Sequence, residues 1–410
     1  MRLALSENHD LTAMRALRKD ILGSPLAVAL ERARTYTRVF QQNEGAPWIV
    51  TKAMAFREHL RTVPLFIRLH DRIAGSLCEI PGGMPLMVEI GIAENGIFTN
   101  EDPHRRGYLK GKVPQDIADY WMDRNLWGRY RAYARTVHGK PQPWTEVTQY
   151  KFLSYQGHLS PSYRELLTVG LGGLLQRVRA RRQGEVRPDR MEFLTAAEQC
   201  LRGVSEWAKR YADFLARQAG CEQMARIAAK VAADPPTTFR EALQLIWFVH
   251  QAIHIEGHGY SNTPDRLDQI LHPFYVADKR AGRLTDDEAL TLCENFILKM
   301  RDNTVWSVEH NLTQGICLSG STPDGRDQTN ELSWLFIKAA DNMSVPEPLV
   351  WIRWHPSIDQ DFFDFCLETL AGPTCFPLMM SDTAVPAMFM ELGVSREDAF
   401  NYVAAGCNEL

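Results

Sequence analysis

Apolar residues recur every three or four positions through most of the first three hundred residues, then gather into short continuous runs. "SPLAVALERARTYTRVFQQN" (Ser24–Asn43) carries the first stripe and predicts an amphipathic helix; a second follows from Trp48 to about His70. "SLCEIPGGMPLMVEIGIAENGIFTNEDP" breaks the pattern, because its Gly and Pro clusters between short apolar runs predict loops and short strands. Helical spacing resumes over Pro114–Arg135, Pro161–Arg182, Asp189–Ala219, Cys221–Ala233, Pro236–Ile255 and Leu284–Asp302. Thr238, and Thr285 with Glu288 three residues on, supply caps for the last two. From there the pattern alternates. "LTQGICLSG", "PLVWIRWH" and "CFPLMM" read as strands, while Asn330–Met343, Ile358–Ala371 and Val385–Leu392 read as helices. Short strand–helix–strand units predict an α/β sheet or barrel in the last third, with the helix-rich front packed around it. No repeat, low-complexity linker or charge run marks a boundary, so residues 1–410 read as one unit.

Composition narrows the function. With 410 residues, 45% hydrophobic and 23% charged, the chain is globular and long enough for a large core. A net charge of −4 gives no electrostatic case for nucleic acid or an anionic membrane. No apolar run approaches the ~18 residues of a membrane span, and the start lacks a signal-type apolar core, which predicts a cytoplasmic protein. Eight cysteines without a CxxC pair read as buried free thiols, Cys407 excepted.

His250, His254 and His258 in "HQAIHIEGH" have one-turn spacing, but Gly257 and Gly259 end the helix before the third shares a face, so no metal is expected. "LSGSTPDGRD" fits a turn around Pro323-Asp324-Gly325 and no phosphate-loop pattern. The glycines of "GLGGLLQRVR" read as permitting close helix packing, and no serine-hydrolase elbow occurs. The closing stretch is more pointed. Ser395 and Asp398 form a capping box that predicts a helix over Arg396–Ala404; Ala404, Ala405 and Gly406 then allow a tight turn presenting Cys407 and Glu409.

These blocks together resemble the glycyl radical enzymes, the group of pyruvate formate-lyase and the diol, choline and arylacetate lyases. The resemblance runs in order from "SPLAVALERARTYT" through "YQGHLSPSYRELLTVGLGGLL", "PPTTFREALQLIWFVHQAIHIEGHGYSNTPDRLDQIL", "DGRDQTNELSWLFIKAA" and "PLVWIRWHP" to "GVSREDAFNYVAAGCNE". It implies a ten-stranded α/β barrel wrapped in helices, with Cys407 on a finger loop inside. It also implies an anaerobic homodimer with no bound cofactor, whose radical sits on a backbone glycine installed by a radical-SAM activating enzyme. That glycine block is absent from the 410 residues, so the domain reads as incomplete at its C-terminus. By resemblance Cys407 forms the thiyl radical, Glu409 is the general base, and His158, Tyr260 and Ser261 contact a small organic substrate. Burial beside an apolar loop would raise the pKa of Glu409, which suits a base. Tyr260 stands where the diol dehydratases carry histidine, and pyruvate formate-lyase itself has adjacent cysteines with no glutamate at +2. The expectation is an elimination of a C–O, C–N or C–S bond. Arylacetate-type decarboxylation, formate C-acetyltransferase-like activity and a non-catalytic remnant of the fold are the alternatives.

Overall fold

Helices and a parallel sheet divide the chain between them. The computed structural model describes residues 5, 9–25, 27–90, 113–138, 158–257, 261–304, 314–374 and 376–406. In the helical front, α1 (Thr12–Gly23), β1 (Ala27–Ala29), α2 (Glu31–Gln42), α3 (Trp48–Thr62) and β2 (Gly83–Pro85) come first. They are followed by α4 (Gln115–Trp121), α5 (Leu126–His138), α6 (Tyr163–Gln183), α7 (Pro188–Leu215), α8 (Glu222–Val231), α9 (Phe239–Gly257), α10 (Leu267–Arg280) and α11 (Asp286–Thr304). The long α7 lies along α3, α6 and α8. Trp207 and Tyr211 on its buried face stand 5.4 and 5.8 Å from the ring of Phe248 on α9. Such ring pairs add about 0.5–1.5 kcal/mol each beyond the area they bury.

Several boundaries differ from the sequence pattern, each for a local reason. Pro25 holds Ser24 extended (φ −66°, ψ 130°), so the Ser24–Asn43 stripe first makes β1, which pairs in parallel with β2, and only then α2. Pro64 does the same to Val63 and stops α3 at Thr62 instead of His70. Pro114–Arg135 forms two helices because Asn125 caps the second, accepting from the Gly128 amide at 2.7 Å. The helix α10 is an addition: Leu267, Ile270, Leu271 and Tyr275 have helical spacing and are buried, but Pro273 inside it masks the signal. Thr238 and Thr285 cap as expected, accepting from the amides of Glu241 and Glu288 at 3.3 and 3.2 Å. Gly170 (φ +66°) kinks α6, and the Gly172 amide donates to Ala233 O at 2.8 Å. A Cβ on Gly170 would lie 2.6 Å from Pro235 N, so these glycines do serve close packing.

In the last third β3 (Gly315–Ser319), α12 (Glu331–Met343), β4 (Leu349–Trp354), α13 (Gln360–Leu370) and β5 (Leu378–Ser381) make a parallel sheet in the order β3-β4-β5. Isolated parallel bridges, Arg266 to Cys317 and Leu159 to Asn262, carry the sheet two segments further. The fold is therefore α/β, and the described residues form an arc of parallel segments rather than a closed barrel. The two faces alternate. Ile316, Leu318, Val350 and Ile352 join the apolar core, whereas Gly315, Cys317, Ser319, Trp351 and Arg353 share the opposite, inner face. Two short helices, α14 (Val385–Glu391) and α15 (Arg396–Ala399), follow β5.

Candidate active site

At the C-terminal end of the strands, the inner face is organised by one buried ion pair. Arg353 donates to both oxygens of Asp382 at 2.8 and 2.9 Å, with both side chains fully buried. Burial alone would raise the Asp382 pKa, but Arg353 and the Ser321 and Tyr402 donors hold it below the usual carboxylate range. The remaining Arg353 donors bind the chain that follows α15: Nη2 reaches Phe400 O at 2.8 Å and Nη1 reaches Tyr402 O at 3.2 Å. The guanidinium lies 4.0 Å above the Tyr402 ring, whose hydroxyl donates to Asp382 at 2.7 Å. Gly320 (φ +105°) has to be glycine here, since a Cβ would come within 2.9 Å of Arg353 Nε.

This clamp explains a correction. The helix expected over Arg396–Ala404 ends at Ala399, although Ser395 caps it as predicted, accepting from the Asp398 amide at 3.1 Å. The carbonyls of Phe400 and Tyr402 go to Arg353 instead of continuing the helix. The chain then runs from Tyr402 beside Arg353 to Ala404, whose backbone comes up against Cys317 on the inner face, and on to Gly406 (φ +62°). Tyr402, Ala404, Ala405 and Gly406 are buried or nearly so. Cys407 and Glu409 lie outside the described residues, as do Tyr260 and His258.

The other end of the same face is polar and unsatisfied. Asn262 is fully buried with neither amide atom partnered among the described residues, and the Thr263 hydroxyl and Trp351 indole N–H, also fully buried, have no partner among them either. All three sit around the start of β3: the Gly315 amide donates to Asn262 O at 3.4 Å. A Cβ on Gly315 would fall 2.0 Å from the Trp351 ring and 2.6 Å from the Thr263 hydroxyl. The Leu159–Asn262 bridge sets two expected substrate contacts, His158 and Ser261, one residue upstream on neighbouring segments. Ser261 is buried with φ +66°, while His158 is exposed. Sequence reasoning missed Asn262, Thr263 and Trp351. A usable signal was the two-residue alternation of Trp351 and Arg353 in "PLVWIRWH".

Two histidines close this end. His250 and His254 meet edge to face one turn apart on α9 with their Nε2 atoms 3.1 Å apart, and His250 Nε2 meets Gln314 Oε1 at 2.7 Å. Gln314 must present its oxygen there, because its nitrogen donates to Met300 O at 2.9 Å, so His250 carries its proton on Nε2. Burial pushes the His250 pKa down to about 4. Arg32 fixes the end of this helix, donating to Ile255 O at 2.7 Å and Glu256 O at 3.1 Å while paired with buried Glu89. No group of three His, Cys, Asp or Glu fit for a metal occurs among the described residues. Cys78, Cys200, Cys221, Cys293, Cys317 and Cys366 are free, and Cys375, like Cys407, lies outside the described residues. No described helix is long and apolar enough to cross a membrane.

Comparison with known proteins agrees with this layout. The pyruvate formate lyase-like family model matches residues 7–410. The probable dehydratase YbiW of Escherichia coli K12 is 27% identical over 93% of this chain and 51% of its own length. The (2S)-3-sulfopropanediol dehydratase of Klebsiella oxytoca is 26% identical over 96% of this chain and 52% of its own. A solved structure from work on 1,2-propanediol dehydration in Roseburia inulinivorans superposes with a TM-score of 0.85 at 25% identity, over 99% of this chain and 54% of that one. The chain thus spans about half the length of the relatives it matches.

Proposed function

The chain belongs to the pyruvate formate lyase-like family, and on that premise we propose that it carries the substrate-activating part of a glycyl radical lyase of dehydratase type. The path of residues 400–406 is the observation behind the reading. Arg353 holds Phe400 and Tyr402, Ala404 comes up against Cys317, and Cys407, Asn408 and Glu409 are next in the sequence after Gly406. The dehydratase names of both curated relatives support the same reaction class.

A glycine radical outside these residues, installed by a radical-SAM activase, supplies a one-electron site for a hydrogen atom. Cys407 relays that chemistry because an S–H bond is weak enough to exchange hydrogen with carbon in both directions. Its thiyl takes a hydrogen atom from a substrate carbon, breaking C–H and forming S–H. Glu409 accepts the proton of the hydroxyl on that carbon, and the bond from the neighbouring carbon to the leaving group breaks with its electron pair going to that group. The leaving group departs with the transferred proton, as water when it is a hydroxyl, and the sulfur-bound hydrogen returns to carbon. His158, Tyr260, Ser261 and Asn262 hold the small substrate by hydrogen bonds. The working protein is read as a cytoplasmic homodimer. Arylacetate-type decarboxylation stays as the runner-up, favoured by the indole of Trp351 on the inner face.

The test is anaerobic activation of the full-length protein, confirmation of the radical by electron paramagnetic resonance, and assay of isotope exchange and product on a diol panel. Cys407→Ser should abolish both. Glu409→Gln should keep exchange while product formation falls by about 10²–10⁴-fold, the loss of a general base. Wild-type turnover by Glu409→Gln with its radical intact would remove the base from the mechanism.

A further inference from the structure

Arg72 and Arg240 line one cavity of about 280 Å³, together with Asp71, Gly220, Gln223 and Met224. It lies at the opposite end of α9 from the candidate active site, since Arg240 and His254 are fourteen residues apart, about 21 Å along the axis. Elsewhere several arginines hold a two-pronged carboxylate. Arg68 binds Asp302 at 2.9 and 2.8 Å, Arg57 binds Glu206 at 3.0 and 2.6 Å, and Arg353 binds Asp382. The two cavity arginines lack this. Arg240, half-buried, has the half-exposed Glu288 at 3.6 Å and the more distant charge of Asp278; Arg72, an exposed residue, makes no ion pair among the described residues, its guanidinium reaching just the Asp71 carbonyl at 3.5 Å. One oxygen of the Asp71 carboxylate takes Lys299 at 3.2 Å and the Arg68 amide at 3.0 Å, and the other is buried with no partner among the described residues. Burial and the neighbouring charge of Arg72 both push the Arg240 pKa down against the pull of Glu288, as expected of positive charge short of a counterion.

The cavity wall adds donors. Gln223 and Met224 occupy the first turn of α8, where backbone N–H groups have no intrahelical acceptor and the helix dipole is positive. Two under-paired guanidiniums and a helix start around one opening suit a planar or tetrahedral oxyanion, which each arginine can grip with two hydrogen bonds. We infer that this cavity binds the phosphate or carboxylate group of a small anionic molecule between Arg72 and Arg240, apart from the catalytic site.

The experiment is thermal unfolding of the full-length protein against inorganic phosphate and against succinate, with sodium chloride at equal ionic strength as reference. A saturable rise in Tm of about 2–4 °C is expected with at least one of the two anions, and which one responds identifies the group bound. Arg72→Gln and Arg240→Gln should each lose that response. Gln223→Glu places a carboxylate at the opening, so it should raise the unliganded Tm and abolish the anion response. No shift beyond the chloride reference overturns the site, and so does a full response in Arg240→Gln. Should an arginine variant fail to fold, a full response in Gln223→Glu overturns it equally.

Discussion

The two ends of the inner sheet face are built on opposite terms. The Arg353–Asp382 pair itself is fully partnered: Asp382 accepts from Arg353, Ser321 and Tyr402, and Arg353 spends its other donors on two carbonyls. Around Gly315, by contrast, both amide atoms of Asn262, the Thr263 hydroxyl, the Trp351 indole and His250 Nδ1 are buried with no partner among the described residues. Each such orphan costs about 1–3 kcal/mol unless something else bonds to it. The satisfied end has the character of an anchor. The unsatisfied end has the character of a place kept ready for water or substrate.

Breaking the anchor should give the largest effect. Arg353→Met strands the Asp382 carboxylate in the interior and should cost about 3–5 kcal/mol in denaturant unfolding. The double variant Arg353→Met/Asp382→Leu should recover most of that stability, because no buried charge is left unpaired. It should still fail to turn over after activation, since Phe400 and Tyr402 have lost their clamp. Full activity in the double variant would show that the clamp does not position the chain leading to Cys407.

Acid probes the opposite end next. His250 is buried with a pKa of about 4, below the about 6.5 of an unfolded histidine, so between these values the unfolded chain binds more protons. Stability is therefore complete above pH 6.5 and declines as pH falls toward 4, by roughly 3 kcal/mol for this residue. His59, fully buried with neither ring nitrogen partnered and its pKa pushed down to about 3, should contribute in the same window. Unfolding free energies measured from pH 7 to 4 should fall steadily, and His250→Gln should flatten the slope in part. An unchanged slope would mean that His250 is not held neutral.

Packing against Gly315 comes third. Gly315→Ala puts a methyl 2.0 Å from the Trp351 ring, and the displaced indole should cost about 1–3 kcal/mol. A neutral Gly315→Ala would show that the indole swings freely, and so that this end is loosely packed.

The sequence shows the anchor and the open end unequally. Periodicity located β3, β4 and β5 and the caps at Thr238, Thr285 and Ser395, because those signals are local. It lost the end of the last helix, since the competitor for the carbonyls of Phe400 and Tyr402 is Arg353, dozens of residues away in the chain. It lost α10 to Pro273, whose cost is met by the burial of Leu267, Leu271 and Tyr275. Asn262, Thr263 and Trp351 were invisible for a related reason. Each is unremarked in its own segment, and only pairing of Leu159 with Asn262 and the close approach of Gly315 bring them together. Cys407 and Glu409 were named from resemblance, and the described residues lead up to them without including them.

The smallest change in stability should come from Asn262→Leu, and it divides the two readings of the open end. Leucine nearly matches asparagine in size but has no amide to leave unbonded, so removing both orphaned atoms should shift unfolding by no more than about 0.5 kcal/mol, or stabilise slightly. If Asn262 exists to bond a substrate, the activated full-length variant should show a KM raised by about ten-fold or more, the loss of one to two hydrogen bonds. A polar residue that merely orders an internal water should instead lose stability in the leucine variant while leaving KM alone. A different quantity moves under each reading: KM under the first, stability under the second. Measuring both on one variant therefore decides whether the unsatisfied end of the face belongs to the substrate.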